Sequence, residues 1–590
     1  MGLKKAVIGL VLVIILGVLA LVGYKIYDDY QEKHRESDIV MPLEQYYQVP
    51  ANEAMIIFDE TVYEKNAYIK NGEIYIDMNT AKERYGLKLF WAEEEGKVYY
   101  TSPSTAYVFT PGEADFLKNR TLENSGNPLV IKANDEIFVS LKFLEQYSNI
   151  TYKFVDNPGR VLISYAEDSY LCSYVEKKTA IRVNQDIKAD LLATLEQGAK
   201  VRYIDGGGIQ ENGFIKVMSE DGVRGYIKSE CLGESFYEDP SFRSFTPEQF
   251  VPQLEGERVY LGWHLTYSKD SLGSLKKYLA DNEDLTVVSP TWYFMNDAEG
   301  NFTSYASDEY VQYAHSQGVK VWACLKNDDI DGKFAHERDT YAIMSDYNKR
   351  IKLADGIVAA AKTDGVDGVN IDIEGISVQT GVYFIQFLKE LSLECKKAGL
   401  VLSVDNPMPE SYNAFYDFRS QATAVDYLVI MGYDEHFFGS EEAGSVASLD
   451  WFSQYADVTV GMCPAKQVIM AVPFYTRIWK ETKDGENIKV SSEILEMKDT
   501  AKKVASYNTE TVWDETEGQN YLEYKADDNT TYKIWIEDGD SLKKKASVIR
   551  ERNMGGVAGW RLGSESEGTW ELLWEAIDGK NADVPEEYIK

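Results

Sequence analysis

At 590 residues the chain exceeds one ordinary domain; length alone gives roughly four units of about 150 residues, fewer if one is a barrel. Hydrophobic residues make up 44% and charged residues 27%, so most of the chain should fold. A net charge of −35 and an isoelectric point near 4.6 exclude a partner with a phosphate backbone, which would repel it.

In chain order, the first feature is "MGLKKAVIGLVLVIILGVLALVGYKIY", with Lys4 and Lys5 ahead of an apolar run from Ala6 to Tyr24. About 20 such residues span a bilayer, and a buried helix is rarely apolar on every face. A cleaved leader has a shorter apolar core. An uncleaved anchor is therefore favoured, with residues 1–24 as cytoplasmic tip and membrane span. Lys4 and Lys5 stay in the cytoplasm, although Lys25 and Lys33 on the other flank blur the charge count. A polar stalk, 25–45, follows. The remaining chain would lie outside the cell.

Residues 46–168 hold an internal repeat. "IKNGEIYIDMNTAKERYGLKLFWAEEEGKVYYT" from Ile69 parallels "IKANDEIFVSLKFLEQYSNITYKFVDNPGRVLIS" from Ile131. Each reads as strand, helix, strand, turn, strand. Ile74 and Ile76 match Ile137 and Val139, and Leu87 and Phe90 match Ile150 and Phe154; such fidelity implies two packed units. The module resembles the N-terminal α+β module of copper amine oxidases and of bacterial wall-facing proteins. It carries no catalytic constellation, so a spacer or wall-contacting role is expected.

Residues 169–236 show closely spaced strand-like runs with Gly-containing turns, the mark of a small β-barrel. The pattern "AIRV…NGFIKV…DGVRGYI" resembles bacterial SH3-like domains, which implies wall contact or spacing. Tyr203, Phe214 and Tyr226 read as core or strand-pair aromatics before groove residues. The five cysteines include Cys172 and Cys231, which flank this segment. They either bridge its ends or, like the other three, are buried free thiols. No CxxC occurs and the five histidines do not cluster, so neither metal nor cofactor is expected.

A linker, 237–256, precedes a change of rhythm at 257. Eight apolar runs then alternate with helical stretches to about 580: "RVYLGW", "LTVVSPTWYF", "VKVWACL", "VDGVNIDIE", "LVLSVD", "YLVIMGYD", "VIMAVPFY" and "GVAGWRL". That is the strand count of a TIM (β/α)8 barrel. Residues 477–545 are too many for a loop between strands seven and eight and read as a small α+β insertion.

Within "DGVNIDIE" (367–374), Asn370, Asp372 and Glu374 share one face of the fourth strand. That face points into the lumen and ends at the C-terminal mouth, where barrel enzymes keep their catalysts. Burial and mutual repulsion should raise the pKa of at least one carboxyl, making it a general acid. Read alone, an acidic strand end also suits a helix cap or a cation.

The phrase resembles the Asp-x-x-Asp-x-Asp-x-Glu signature of glycoside hydrolase family 18, the chitinase-like enzymes, in their bacterial wall- and spore-lytic N-acetylglucosaminidase branch. Asp367, Asp372 and Glu374 fill three positions; Asn370 stands at the second aspartate. "MGYDEH" (431–436), "VPFYTRIW" (472–479) and "GVAGWRLG" (556–563) fall where the family has strands six, seven and eight. The resemblance implies that Glu374 protonates the glycosidic oxygen. Asp372 orients the substrate acetamido group, and Tyr433 hydrogen-bonds its oxygen. Asn370 and Asp434 support this network, Trp560 floors the sugar site, and Tyr475 and Arg477 line it. The substrate's acetamido oxygen is then the nucleophile and configuration is retained.

The implied substrate is an N-acetylglucosamine-containing polymer, peptidoglycan before chitin, since an anchor and an SH3-like module suit a cell remodelling its own wall. Wall contact would come through the repeat and SH3-like modules. The alternative is a non-hydrolytic, lectin-like wall protein on the same barrel, favoured only by Asn370. Tyr293, Trp479, Trp535 and His436 are weaker candidates, divided between subsite, packing and loop roles.

Overall fold

The computed structural model describes residues 2–579 except 165–167, 209–211, 241–243, 281, 329–332, 486 and 528. The expected barrel end at 580 lies outside them. The described chain divides into two compact units: 2–89 with 108–117 and 121–247, and 90–107 with 118–120 and 248–579.

In the first unit the N-terminal apolar run forms a helix, Gly2–His34, with no buried residue. It is long and apolar enough to cross a membrane. The helix continues ten residues past Tyr24, because the segment read as a stalk begins with helix-forming Lys, Glu and Gln. The two repeats share their order of elements: strand Glu73–Asp77 then helix Met78–Tyr85, and strand Glu136–Ser140 then helix Leu141–Leu144. Even the caps correspond: Asp77 accepts from the Thr80 amide and Ser140 from the Lys142 amide, satisfying donors each helix start leaves open. The two strands pair antiparallel, with Phe138 opposite Asp77, inside one seven-stranded sheet.

A second seven-stranded antiparallel sheet spans Tyr170–Glu238. Its core holds Val175, Ile181, Val201, Val217 and Ile227. Tyr203 and Phe214 are buried there and Tyr226 is half-buried. All five cysteines of the chain are free and buried, so Cys172 and Cys231 form no bridge.

The second unit holds the barrel. Its strands are β1 (Val259–His264), β2 (Val287–Met295), β3 (Lys320–Lys326), β4 (Gly368–Asp372), β5 (Val401–Pro407), β6 (Tyr427–Met431), β7 (Val468–Pro473) and β8 (Gly556–Trp560). All pair in parallel in sequence order, and β1 closes on β8. The expected eight-stranded parallel barrel is thus present.

Alternate residues fill the lumen: Leu261 and Trp263, Trp322, Tyr427 and Val429, Ile469 and Ala471, and Ala558. Trp322 stacks on Tyr427 at 5.4 Å between centroids. Truncating such a buried aromatic costs about 3–5 kcal/mol. The lumen is therefore a packed core below and is polar only toward the mouth.

Between β7 and β8 an inserted lobe has five antiparallel strands, from Tyr475–Asp484 to Thr530–Ile536, and helix Met497–Ser506. It packs around Ile478, Leu522 and Ile534. Helix Gly539–Glu551 follows and packs on the last barrel helix, Thr569–Asp578.

Candidate active site

The mouth is assembled from strand ends. Asp372 closes β4 and Glu374 stands two residues on, with Gly375 at φ +63° turning the chain away. That left-handed conformation favours glycine. Glu374 is gripped by its backbone: its amide donates to Asn327 Oδ1 (3.0 Å), and Asn327 Nδ2 donates to its carbonyl (2.8 Å). Asn327 follows β3 directly, is buried, and is braced by Thr340 (3.1 Å).

Asp372 is 6% exposed. Its Oδ2 accepts from the Lys326 ammonium at 2.5 Å, while its Oδ1 is buried with no amide, hydroxyl or cationic donor; the Glu374 carboxyl beside Asp372 is close enough to share a hydrogen bond with it. Lys326 also lies 5.9 Å from the Trp560 ring centroid, a cation–π distance. Burial alone would lower the lysine's pKa; Asp372 and neighbouring acids outweigh burial and hold it above its ordinary value. Lys326 is accordingly charged.

Glu374 is pushed up to about 8, first by the Asp372 carboxylate and second by burial, with Lys326 pulling the other way. Its side chain opens to solvent at the mouth, which weakens the second cause and leaves the charge of Asp372 dominant.

Asn370 sits one pleat deeper and is fully buried. Its Oδ1 accepts from Trp263 Nε1 and Ser289 Oγ (both 3.0 Å), and its Nδ2 donates to Ser403 Oγ (3.0 Å) and Asp405 Oδ1 (2.7 Å). The indole N–H only donates, which fixes the amide's orientation and uses all four of its bonding positions. Oxygens of Asp372 and Asp405 and the Cys324 sulfur lie within 4.8 Å of one another, all buried. Asp405 is raised well above the carboxylate range by burial and then by Asp372, although the Asn370 bond lowers it.

From β6, Gly432 lets the backbone pass close to β7, since a Cβ there would meet the Ala471 carbonyl at 2.5 Å. Tyr433 follows, packed on the lumen core. Burial foremost, then Tyr475, Asp372 and Glu374, hold its phenol well above its usual pKa, so it is a neutral donor. Asp434 takes φ +63° and accepts from the Tyr475 hydroxyl at 2.7 Å. Trp560 ends β8, meets Trp263 edge-on at 5.9 Å, and is joined to Arg561 by a cis peptide.

The structure thus brings Glu374, Asp372, Asn370, Tyr433 and Trp560 to one mouth, with Tyr475 and Asp434 beside them. Arg477 points into the inserted lobe, where it donates to Ser492 Oγ (3.1 Å). Asp367 lies at the opposite end of β4, accepting from His315 and the Val321 amide (both 2.8 Å). Of the weaker candidates, Tyr293 is buried and bonded to Asp364, and Trp479 is buried with its N–H on the Gly444 carbonyl. His436 is tied to its own loop through the Ser445 carbonyl. Trp535 packs on Tyr521.

Lys326, Asn327 and Asp405 escaped the sequence reading. The only signal for the first two was a charged and an amide residue directly after the apolar run of β3. A separate cavity of about 610 Å³ opens near Arg258, Asp284, Lys466 and Asp578, away from these acids; there Arg258 is already paired with Asp578.

A sequence model of glycosyl hydrolases family 18 matches residues 274–565, and one of the copper amine oxidase N-terminal domain matches 57–163. The glycosylase YvbX of Bacillus subtilis is 24% identical over 330 residues, 54% of this chain and 92% of that protein. The cortical fragment-lytic enzyme of Bacillus anthracis is 22% identical over 305 residues, 50% of this chain and 69% of its own. A chitinase crystal structure from Chromobacterium violaceum aligns with TM-score 0.48 and 23% identity, covering 54% of this chain and 99% of that one. Residues 274–565 are therefore a glycosidase domain of glycosyl hydrolases family 18, and residues 57–163 ahead of it are a copper amine oxidase N-terminal domain.

Proposed function

We propose that the protein is a membrane-anchored extracellular enzyme that cleaves β-1,4 bonds of N-acetylglucosamine-containing polymers, peptidoglycan in preference to chitin, with retention of configuration. One observation carries the reading: Glu374, raised to about 8, stands beside an Asp372 that accepts from the Lys326 ammonium at 2.5 Å. At neutral pH the first can donate a proton beside a carboxyl group paired with a lysine, the division of labour that acid-catalysed glycoside cleavage needs.

Glu374 protonates the leaving oxygen. Asp372 orients the acetamido N–H and offsets the positive charge that develops as the acetamido oxygen attacks the anomeric carbon. Tyr433 donates to that oxygen, and Trp560 carries the sugar ring. Substrate participation explains why no second carboxylate need stand about 5 Å away as nucleophile. Asn370 and Asp434 support the network; Tyr475 acts through Asp434, and Arg477 serves the lobe side of the cleft.

Anchoring is supported by the fully exposed apolar helix Gly2–His34. The preference for wall glycan is supported by the relative named for lysis of cortical fragments. Wall contact through the repeat and the small β-sheet module belongs to the same reading. The lectin alternative rested on Asn370, whose four bonds make it a constructed part of the lumen.

The test is digestion of purified peptidoglycan, and separately of chitin oligosaccharides, by the full-length protein in detergent and by Glu374→Gln. Mass spectrometry should find new N-acetylglucosamine reducing ends from peptidoglycan, lost in the variant. Products from chitin alone would move the substrate. Binding without products from either would establish the lectin.

A further inference from the structure

The mouth holds more acid than its reaction uses. Asp372, Glu374 and Asp405 face one ammonium, Lys326, with Asp328 3.9 Å behind it. The other titratable groups turned toward Asp405 are Cys324 on β3 and Tyr433 after β6. Lys326 bonds Asp372, and among the described residues no cation touches Asp405. Asp405 is 2% exposed, and its one hydrogen bond to a side chain comes from the neutral Asn370 amide. A buried carboxylate without a cation gives up its charge by taking a proton. Beside it, within 4.8 Å, lies Asp372, whose Oδ1 is buried with no amide, hydroxyl or cationic donor.

We propose that Asp405 is a neutral carboxylic acid in the working protein and a positioning residue for Asp372, standing on β5 as the uncharged polar group behind its Oδ1. The pair then carries one negative charge, which Lys326 balances, and Asp372 stays anionic because Asp405 holds the proton that two neighbouring carboxyls must share. Asn370 fits this arrangement: its amide donates to Asp405 Oδ1, leaving the other oxygen of Asp405 to bear the proton. A metal ion on Cys324, Asp372 and Asp405 would stand as a second cation beside the ammonium that Asp372 already holds. The proposal rests on the reading of Asp372 as the residue that orients the acetamido group.

Two arms test it. In the first, full-length Glu374→Gln protein in detergent is compared by infrared spectroscopy at neutral pH with Glu374→Gln/Asp405→Asn. A protonated-carboxyl stretch present only in the former is expected; its absence overturns the proposal. This arm needs no substrate, so it decides even if the wild type cleaves no acetamido glycan, which would defeat the functional reading instead.

In the second arm, Asp405→Val should lose about tenfold to a hundredfold in kcat, the size of a misplacement effect. Asp405→Asn should recover most of that loss, since it restores a neutral polar group. The alkaline limb of its pH–rate profile should stay at the wild-type position. Were Asp405 an anion, the asparagine would remove a negative charge near Glu374 and that limb would fall by about one unit or more. Such a fall, or equal losses in both variants, overturns the proposal. If Asp405→Val does not fold, the limb and the infrared band still decide.

Discussion

Among the described residues of the barrel unit, the lysine–carboxylate pairs Lys545–Glu537 and Lys326–Asp372 are the most enclosed, and they differ in completeness. Between the lobe and its following helix, Lys545 Nζ lies 2.9 Å from each oxygen of Glu537, and both residues are at most 1% exposed. Ser541 donates to one of those oxygens (2.9 Å) and Gln519 to the other (2.8 Å). At the mouth, Lys326 bonds one oxygen of Asp372, and the other has no amide, hydroxyl or cationic donor. A buried pair with every lone pair used holds structure together; one that leaves an oxygen without a donor is not built for stability alone. The difference separates scaffold from chemistry within a single domain.

Removing either lysine should expose this difference. Lys545→Met strands a fully buried carboxylate and should cost about 3–5 kcal/mol of stability, read by urea unfolding. Activity per folded molecule should hardly change. Glu374→Gln should do the reverse. A general acid is worth about a hundredfold to ten-thousandfold, so kcat should fall by about that factor with an unchanged melting temperature.

Lys326→Met sharpens the contrast through pH. Glu374 must be protonated to work, so wild-type activity should fall as pH rises through about 8. Lys326 pulls that value down. Removing it should move the alkaline limb to higher pH, while kcat drops about tenfold as Asp372 loses its counter-ion. An alkaline limb that moves down would contradict the placement of the ammonium.

The incomplete pair was half legible in the sequence. The period-two alternation of "VNIDIE" placed Asn370, Asp372 and Glu374 on one lumen face, and the eight apolar runs fixed the barrel. Lys326 was missed because "VKVWACL" ends where the apolar residues end, whereas β3 continues through the lysine. A charge at the end of an apolar run reads as the start of a loop. Asp405 lies inside a recognised strand but 35 residues from the Asn370 it contacts. Neighbours across a barrel are set by strand register, which no local pattern encodes. The hydrogen bond of Arg477 was hidden for a related reason: its strand leaves the barrel for the lobe, and Ser492, its partner, is defined only by that hairpin.

Asn327 supplies the smallest expected effect. It holds Glu374 by the main chain alone, through one accepted and one donated bond. Each such bond is worth about 1 kcal/mol net, but the freed amide and carbonyl of Glu374 sit at a mouth that water can reach. Asn327→Ala should therefore cost only about 1 kcal/mol of stability, a shift of about 2–4 °C in Tm for a domain this size. Its effect on rate should be larger than its effect on stability, about tenfold in kcat with KM nearly constant, because the carboxyl loses its fixed height above Asp372. The alkaline limb should also fall, since a Glu374 that swings outward feels less of the Asp372 charge that raises it. A variant that loses stability but keeps both kcat and the limb would show that the grip on Glu374 is structural only.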